Sequence, residues 1–216
     1  GYNTLSTILP GPSGIVDYHL RDPERGEPTA LTLGLDVYSQ PYAELHLKHR
    51  TADDSASYWL GVGRVFDARD SQGARDGESL LVAGAGRVTV GPATGRVFFG
   101  EYQYERAGRF RVVPTGDALP PRIERGRYLG QDWAMEEGQR RIAGVLLDGQ
   151  LSDRAGVGGT FVFSQEDPSR GFTQLFSDLR ADGTARASVI AIPQQRSTAW
   201  LGEFRAHVEQ PLGNLA

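Results

Sequence analysis

The sequence predicts an all-β fold: an antiparallel barrel or sandwich of about eight to ten strands with one short helix. Three observations lead there. Apolar residues recur at every second position through most of the chain, the period of a half-buried strand. Glycine and proline, 28 and 12 of them, punctuate these runs at intervals suited to turns. At 216 residues the chain is long enough to bury one large β domain without staples.

Taken in order, residues 1–29 are rich in Gly, Pro and polar groups and read as an extended arm or tether, with residues 30–216 as a single β domain. Leu31, Leu33, Leu35 and Val37 alternate with polar or small residues. So do Ala43, Leu45 and Leu47, joined to the first run through Ser39-Gln40-Pro41. Tyr58, Leu60, Val62 and Val65-Phe66 form the next strand. Residues 79–90 follow, with a small-residue centre (Ala83-Gly84-Ala85-Gly86) that suggests a bulge or tight corner. A turn over Gly91–Gly95 leads into an aromatic strand with Val97, Phe99, Tyr102 and Tyr104, then a short one with Phe110, Val112 and Val113. Residues 114–127, with Pro120-Pro121 and a charged run, are the candidate internal boundary or a long loop.

Strand signals resume at 141–147, run into an expected Asp148-Gly149 turn, and re-emerge through Gly158-Gly159 into Thr160–Phe163. Later strands are expected at 185–192 and 198–208. One segment breaks the period of two. Phe172, Leu175, Phe176 and Leu179 sit at helical spacing, with Asp167 as N-cap, Pro168 in the first turn and Asp182-Gly183 as the stop.

A net charge of −4 argues against a phosphate-tracking protein, so no nucleic-acid partner is expected. The absence of cysteine removes thiolate metal sites, disulfides and cysteine nucleophiles. No run approaches the roughly 18 apolar residues of a membrane helix; no transmembrane segment is expected, although a membrane tether upstream is allowed. His46 and His49 stand three apart in a strand pattern, which points them to opposite faces and argues against a chelating pair. No metal site is expected. The adjacent carboxylates Asp53-Asp54, Glu136-Glu137 and Glu166-Asp167 read as solvated turns rather than catalytic pairs. A nucleophile elbow and a phosphate loop are both missing from the sequence. The chain is therefore read as non-catalytic, with a jelly-roll carbohydrate enzyme as the enzymatic alternative.

The residues with the chemistry of an interface are aromatic and arginine. Arg122, Arg125, Arg127, Tyr128 and Trp133 lie in one segment, and Trp59 joins them as a candidate binding residue. Loops 67–78, 114–133 and 152–156 are expected to do the recognition.

Gly158-Gly159-Thr160-Phe161 resembles the Gly-Gly-x-Phe signature of transferrin-binding-protein-B-like and hemophilin-type surface β-barrels, and the stretch from Arg87 to Phe99 is similar to that family's hairpins. The resemblance, with the tether-like start, implies an exported bacterial surface lipoprotein that binds a partner protein or haem-type ligand through loops at one barrel end. No cofactor is read from the residues themselves; haem enters only through a single histidine such as His19 or His207. The other function considered is a structural assembly subunit (surface layer, adhesin or virion decoration) docking through residues 1–29.

Overall fold

The computed structural model describes residues 22–24, 26, 28–35, 40–69, 75–113 and 129–209. Most of the expected arm, Val37, His19 and the 114–127 boundary lie outside them. The described residues form ten strands: β1 (Ala30–Leu35), β2 (Pro41–Arg50), β3 (Ala56–Arg69), β4 (Arg75–Val90), β5 (Ala93–Ala107), β6 (Arg109–Val112), β7 (Met135–Ser152), β8 (Ala155–Ser177), β9 (Arg186–Ile192) and β10 (Ser197–Val208). The fold is all-β, and no helix occurs among the described residues.

The main sheet runs β1-β2-β3-β4-β5-β7-β8-β10, every neighbour antiparallel. It is not closed: β1 and β10 are its two outer strands. β8 is long enough to leave this sheet and enter a smaller one. There Gly171–Ser177 pairs with β9 antiparallel, and residues 173–176 pair with β6 in parallel.

The expected helix is not there. Phe172, Leu175 and Phe176 belong to β8, opposite Ala191, Ser188 and Ala187 of β9. β6 satisfies the other side of the same backbone. Two ladders outweigh a helical spacing of four apolar residues, and Gly171 would have weakened a helix further. Asp167 is not an N-cap. It is a buried carboxylate held by Arg196 at 2.8 Å and Gln194 at 3.3 Å.

Three turn expectations also shift. Asp148 and Gly149 lie inside β7, and the hairpin turns at Asp153-Arg154. The turn before β5 is only Gly91-Pro92. Residues 83–86 keep unbroken register with β3 and β5. The irregularity of β4 lies lower, opposite Val65–Arg69. Gly77 serves it: its φ is +67°, and a Cβ there would strike the Glu105 carbonyl.

Because neighbouring strands are antiparallel, the connections sort to two ends. Connections 51–55, 91–92 and 153–154 share one end. The ends of β1, β3, β5 and β8 share the other, which carries the small sheet; β5 and β8 are followed by the longest stretches of sequence before the next strand of the main sheet, and this is called the long-connection end. The end of β7 at Ser152 is therefore opposite the ends of β3 at Arg69 and β5 at Ala107, so the strands leading into the three expected recognition loops do not end on one side; residues 70–74 and 114–128 lie outside the described residues.

Candidate functional site

Register assigns every side chain of the main sheet to a face, because partners across a ladder share one. One row runs Leu45, Val62, Val82, then Glu101 and Arg141. A second runs Leu47, Leu60, Gly84, Phe99, Ala143, Phe163 and Trp200. A third runs Tyr58, Gly86, Val97, Val145, Phe161 and Gly202. Leu31, Leu33 and Leu35 of β1 extend this face at one margin, and Phe204 and Val208 at the other.

Below the Glu101–Arg141 line this face holds no charged residue on any described strand of the main sheet. It is also uncovered. Val97 is 55% exposed, Phe161 50% and Trp200 64%, and Tyr104 and Ala134 are the buried hydrophobic residues. From Gly84, the first β4 residue below that line, to Val90 the band measures about 20 Å along β4. At the roughly 40° tilt of barrel strands that is about 15 Å in height.

The band ends in ion pairs. Arg141 meets Glu101 at 3.3 Å and Arg64 meets Glu78 at 2.6 Å. Further toward the long-connection end, Arg170 meets Glu137 at 3.2 Å and Arg196 meets Asp167 at 2.8 Å. These groups border an open polar groove lined also by Gln103, Glu105 and Gln139.

The opposite face is mixed and carries the charge. Arg87, Arg96, Asp148, Arg140, Glu166, Glu203 and Arg205 all project there by register. Glycines on this face are roofed by aromatic rings. Phe98 lies over Gly144, where a Cβ would collide with it. Tyr104 stacks on Tyr102 and has the guanidinium of Arg106 at 5.2 Å and that of Arg140 at 5.7 Å from its ring. Arg106 makes two bonds to Glu136, and Arg140 one to Glu166, so the cations are balanced locally.

Of the sequence-derived binding residues, Arg122, Arg125, Arg127 and Tyr128 lie outside the described residues. Trp133 is at the long-connection end and 51% exposed. Its ring stands edge-on to Phe172, with centroids 5.5 Å apart. The short stretch carrying it is fixed from several sides. The Gln131 amide donates to the buried Gln174 side chain at 2.8 Å, and Arg170 donates to the Trp133 carbonyl at 3.1 Å. The Gly108 amide bonds to the carbonyl of the fully buried Ala134 at 2.5 Å.

Trp59 is elsewhere. It lies on the polar face, in register with Lys48 and Ala85, in a cleft shared with Asp22, Pro23, Arg87 and Arg96. In register its row reaches Phe98 of β5, and Trp133 adjoins the far end of that strand, about 30 Å away along it. The two tryptophans do not form one site. His46 pairs in register with Ala30 and Gly61 on the polar face, with its ring 3.6 Å from Glu44. His49 lies on the apolar face against Tyr58, with ring centroids 5.6 Å apart. The two therefore do not converge on a metal, and no cluster of three or more His, Asp or Glu residues suited to a metal ion occurs among the described residues.

Sequence reasoning missed the extent of the uncharged face and the arginines at 87 and 96. Alternation was the available signal for both, but the register that sums eight strands into one surface is not written in any one of them. No protein-family model matches the chain, and no curated protein matches it.

Proposed function

We propose that this chain forms wall of a membrane-embedded β-barrel of the bacterial outer-membrane type, with its uncharged face toward lipid and its charged face toward an aqueous interior. The single observation carrying this reading is the uncovered, register-aligned apolar band, about 15 Å high, ending in ion pairs. Each exposed Val, Leu or Phe forgoes roughly 1.5–3 kcal/mol relative to burial. Summed over the band that is on the order of tens of kcal/mol, far beyond what a patch left in water bears. Lipid supplies the burial. The sorting of turns supports the same reading, since such barrels have short turns at one end and longer loops at the other.

No helix among the described residues is long and apolar enough to cross a membrane, so crossing falls to the strands. The outer strands β1 and β10 then meet further strands, because an open edge is not tolerated in hydrocarbon. Recognition of a partner protein or small ligand belongs to the long-connection end, where Trp133 stands rigid and exposed at the cell surface.

Cysteine scanning tests this cleanly, because the chain has no cysteine of its own. Single cysteines at Val97, Val145 and Phe161 in native membranes should resist a water-soluble maleimide, while those at Ile142, Thr160 and Leu201 label. Equal labelling of both sets in a membrane-bound protein, or recovery of the protein in the aqueous fraction, would sink the proposal. A second sheet packed over the band would instead appear as a lipid-free oligomer.

A further inference from the structure

At the short-turn end of the charged face, three arginines from three strands converge on the segment that precedes β1. Arg87 of β4 approaches an Asp22 carboxylate oxygen at 3.4 Å, and Arg96 of β5 approaches the same oxygen at 3.9 Å. Arg50 of β2 donates to the Pro23 carbonyl at 3.2 Å. Pro23 is buried, and it lines the Trp59 cleft.

The arginines are themselves held in place. Arg87 donates to the Asp54 carbonyl at 3.1 Å, Arg50 to the Asp54 carboxylate at 2.8 Å, and Arg96 pairs with Asp148 at 3.5 Å. The Arg87 side chain is only 15% exposed. A cation that far from water needs an anion, and Asp22 is the carboxylate within reach of both Arg87 and Arg96. The remaining contacts of Arg87 are to the neutral oxygens of Asp54 and Ser57.

We propose that residues 22–24 are a strap latched to the charged face by Asp22, and that breaking the Asp22 pair with Arg87 and Arg96 opens the short-turn end of that face beside Trp59. Two guanidinium groups flanking an aromatic wall make a carboxylate site, which the chain fills with its own residue. The strap is therefore an internal ligand whose departure exposes a cationic cleft. These contacts all lie on the charged face, so the inference stands whether or not the other face meets lipid.

The test uses the full chain with one added cysteine, Glu24→Cys, labelled with bimane. Tryptophan dims this fluorophore only at close range. The docked strap should be dimmer in the Trp59-containing protein than in a Trp59→Phe partner. Asp22→Asn, which keeps shape and removes charge, should erase that difference by shifting the docked-to-free ratio about five-fold. Arg87→Gln should act alike, and Asp22→Glu should keep the label dim. Raising ionic strength should release the parent strap but leave Asp22→Asn unchanged. A label in Asp22→Asn as dim as in its parent and insensitive to salt would overturn the latch. So would a parent label that Trp59→Phe does not brighten.

Discussion

The two faces of the main sheet are made by the same strands, residue by residue, yet they solve opposite problems. On the charged face cations of the central strands meet carboxylates on neighbouring strands: Arg106 with Glu136, Arg140 with Glu166, Arg96 with Asp148. Such a face is complete within the molecule. The other face has no charge below the Glu101–Arg141 line and no covering element among the described residues. Its stability depends on its surroundings. The polar interactions are closed inside the chain, and the apolar side chains stay exposed.

The largest predicted effect turns on that contrast. Val97 sits near the middle of the band, in register with Gly86 and Val145, and is 55% exposed. Val97→Arg should cost about 2–4 kcal/mol of folding free energy in lipid vesicles, the cost of a cation near the bilayer midplane. Ile142→Arg, 44% exposed on the charged face, should cost less than about 1 kcal/mol. Equilibrium unfolding from vesicles measures both. Near-equal small costs would mean that water bathes both faces, and the comparison would collapse.

A second effect concerns the region where the sheet leaves the band. Gln174 is 2% exposed, and its side-chain oxygen accepts the Gln131 amide. Gln174→Ala leaves that donor without its partner and should cost about 1–3 kcal/mol. The loss should appear locally, as faster hydrogen exchange at residues 131–134, with the band unaffected. Exchange that accelerates equally in β4 and β5 would show that the small sheet and the main sheet unfold together.

How much of this was legible in advance follows from the same contrast. Alternation revealed the strands of the main sheet because each sends apolar side chains to one face and polar or small ones to the other. Thr198 to Val208, read as one regular strand, is Ser197–Val208 in the structure. Alternation failed at Phe172–Phe176, where β6 and β9 flank the chain and a helical spacing was coincidental. It failed again at Asp148-Gly149, a turn-forming dipeptide that pairing with β5 on one side and β8 on the other carries through as strand. The candidate site was less legible. Arg87, Arg96 and Asp22 are far apart in sequence and meet only once register is set.

The smallest effect lies in the 51–55 turn, at the same end as the strap. Asp54 holds a positive φ of 60° there, and Thr51 closes the turn by accepting the Ala56 amide at 3.0 Å. Hydrogen bonds from the side chains of Thr51 and Ser55, together with the Ser55 amide, lower the Asp53 pKa from 3.8 to about 2. A carboxyl whose pKa is depressed by folding stabilises the folded turn only when ionised. That contribution is fully present above the unfolded value near 4 and fades as pH falls through the folded value near 2. The turn should therefore keep its structure at pH 4 and loosen progressively between pH 4 and pH 2, read as a titrating chemical shift at Ser55. Asp53→Asn should show no such titration at Ser55. Because Thr89 donates to the Ser55 carbonyl at 2.7 Å, the same loosening should reach the end of β4 and no further. A change spreading across the apolar face at that pH would mean that the two faces are coupled through this turn, contrary to the independence their contacts imply.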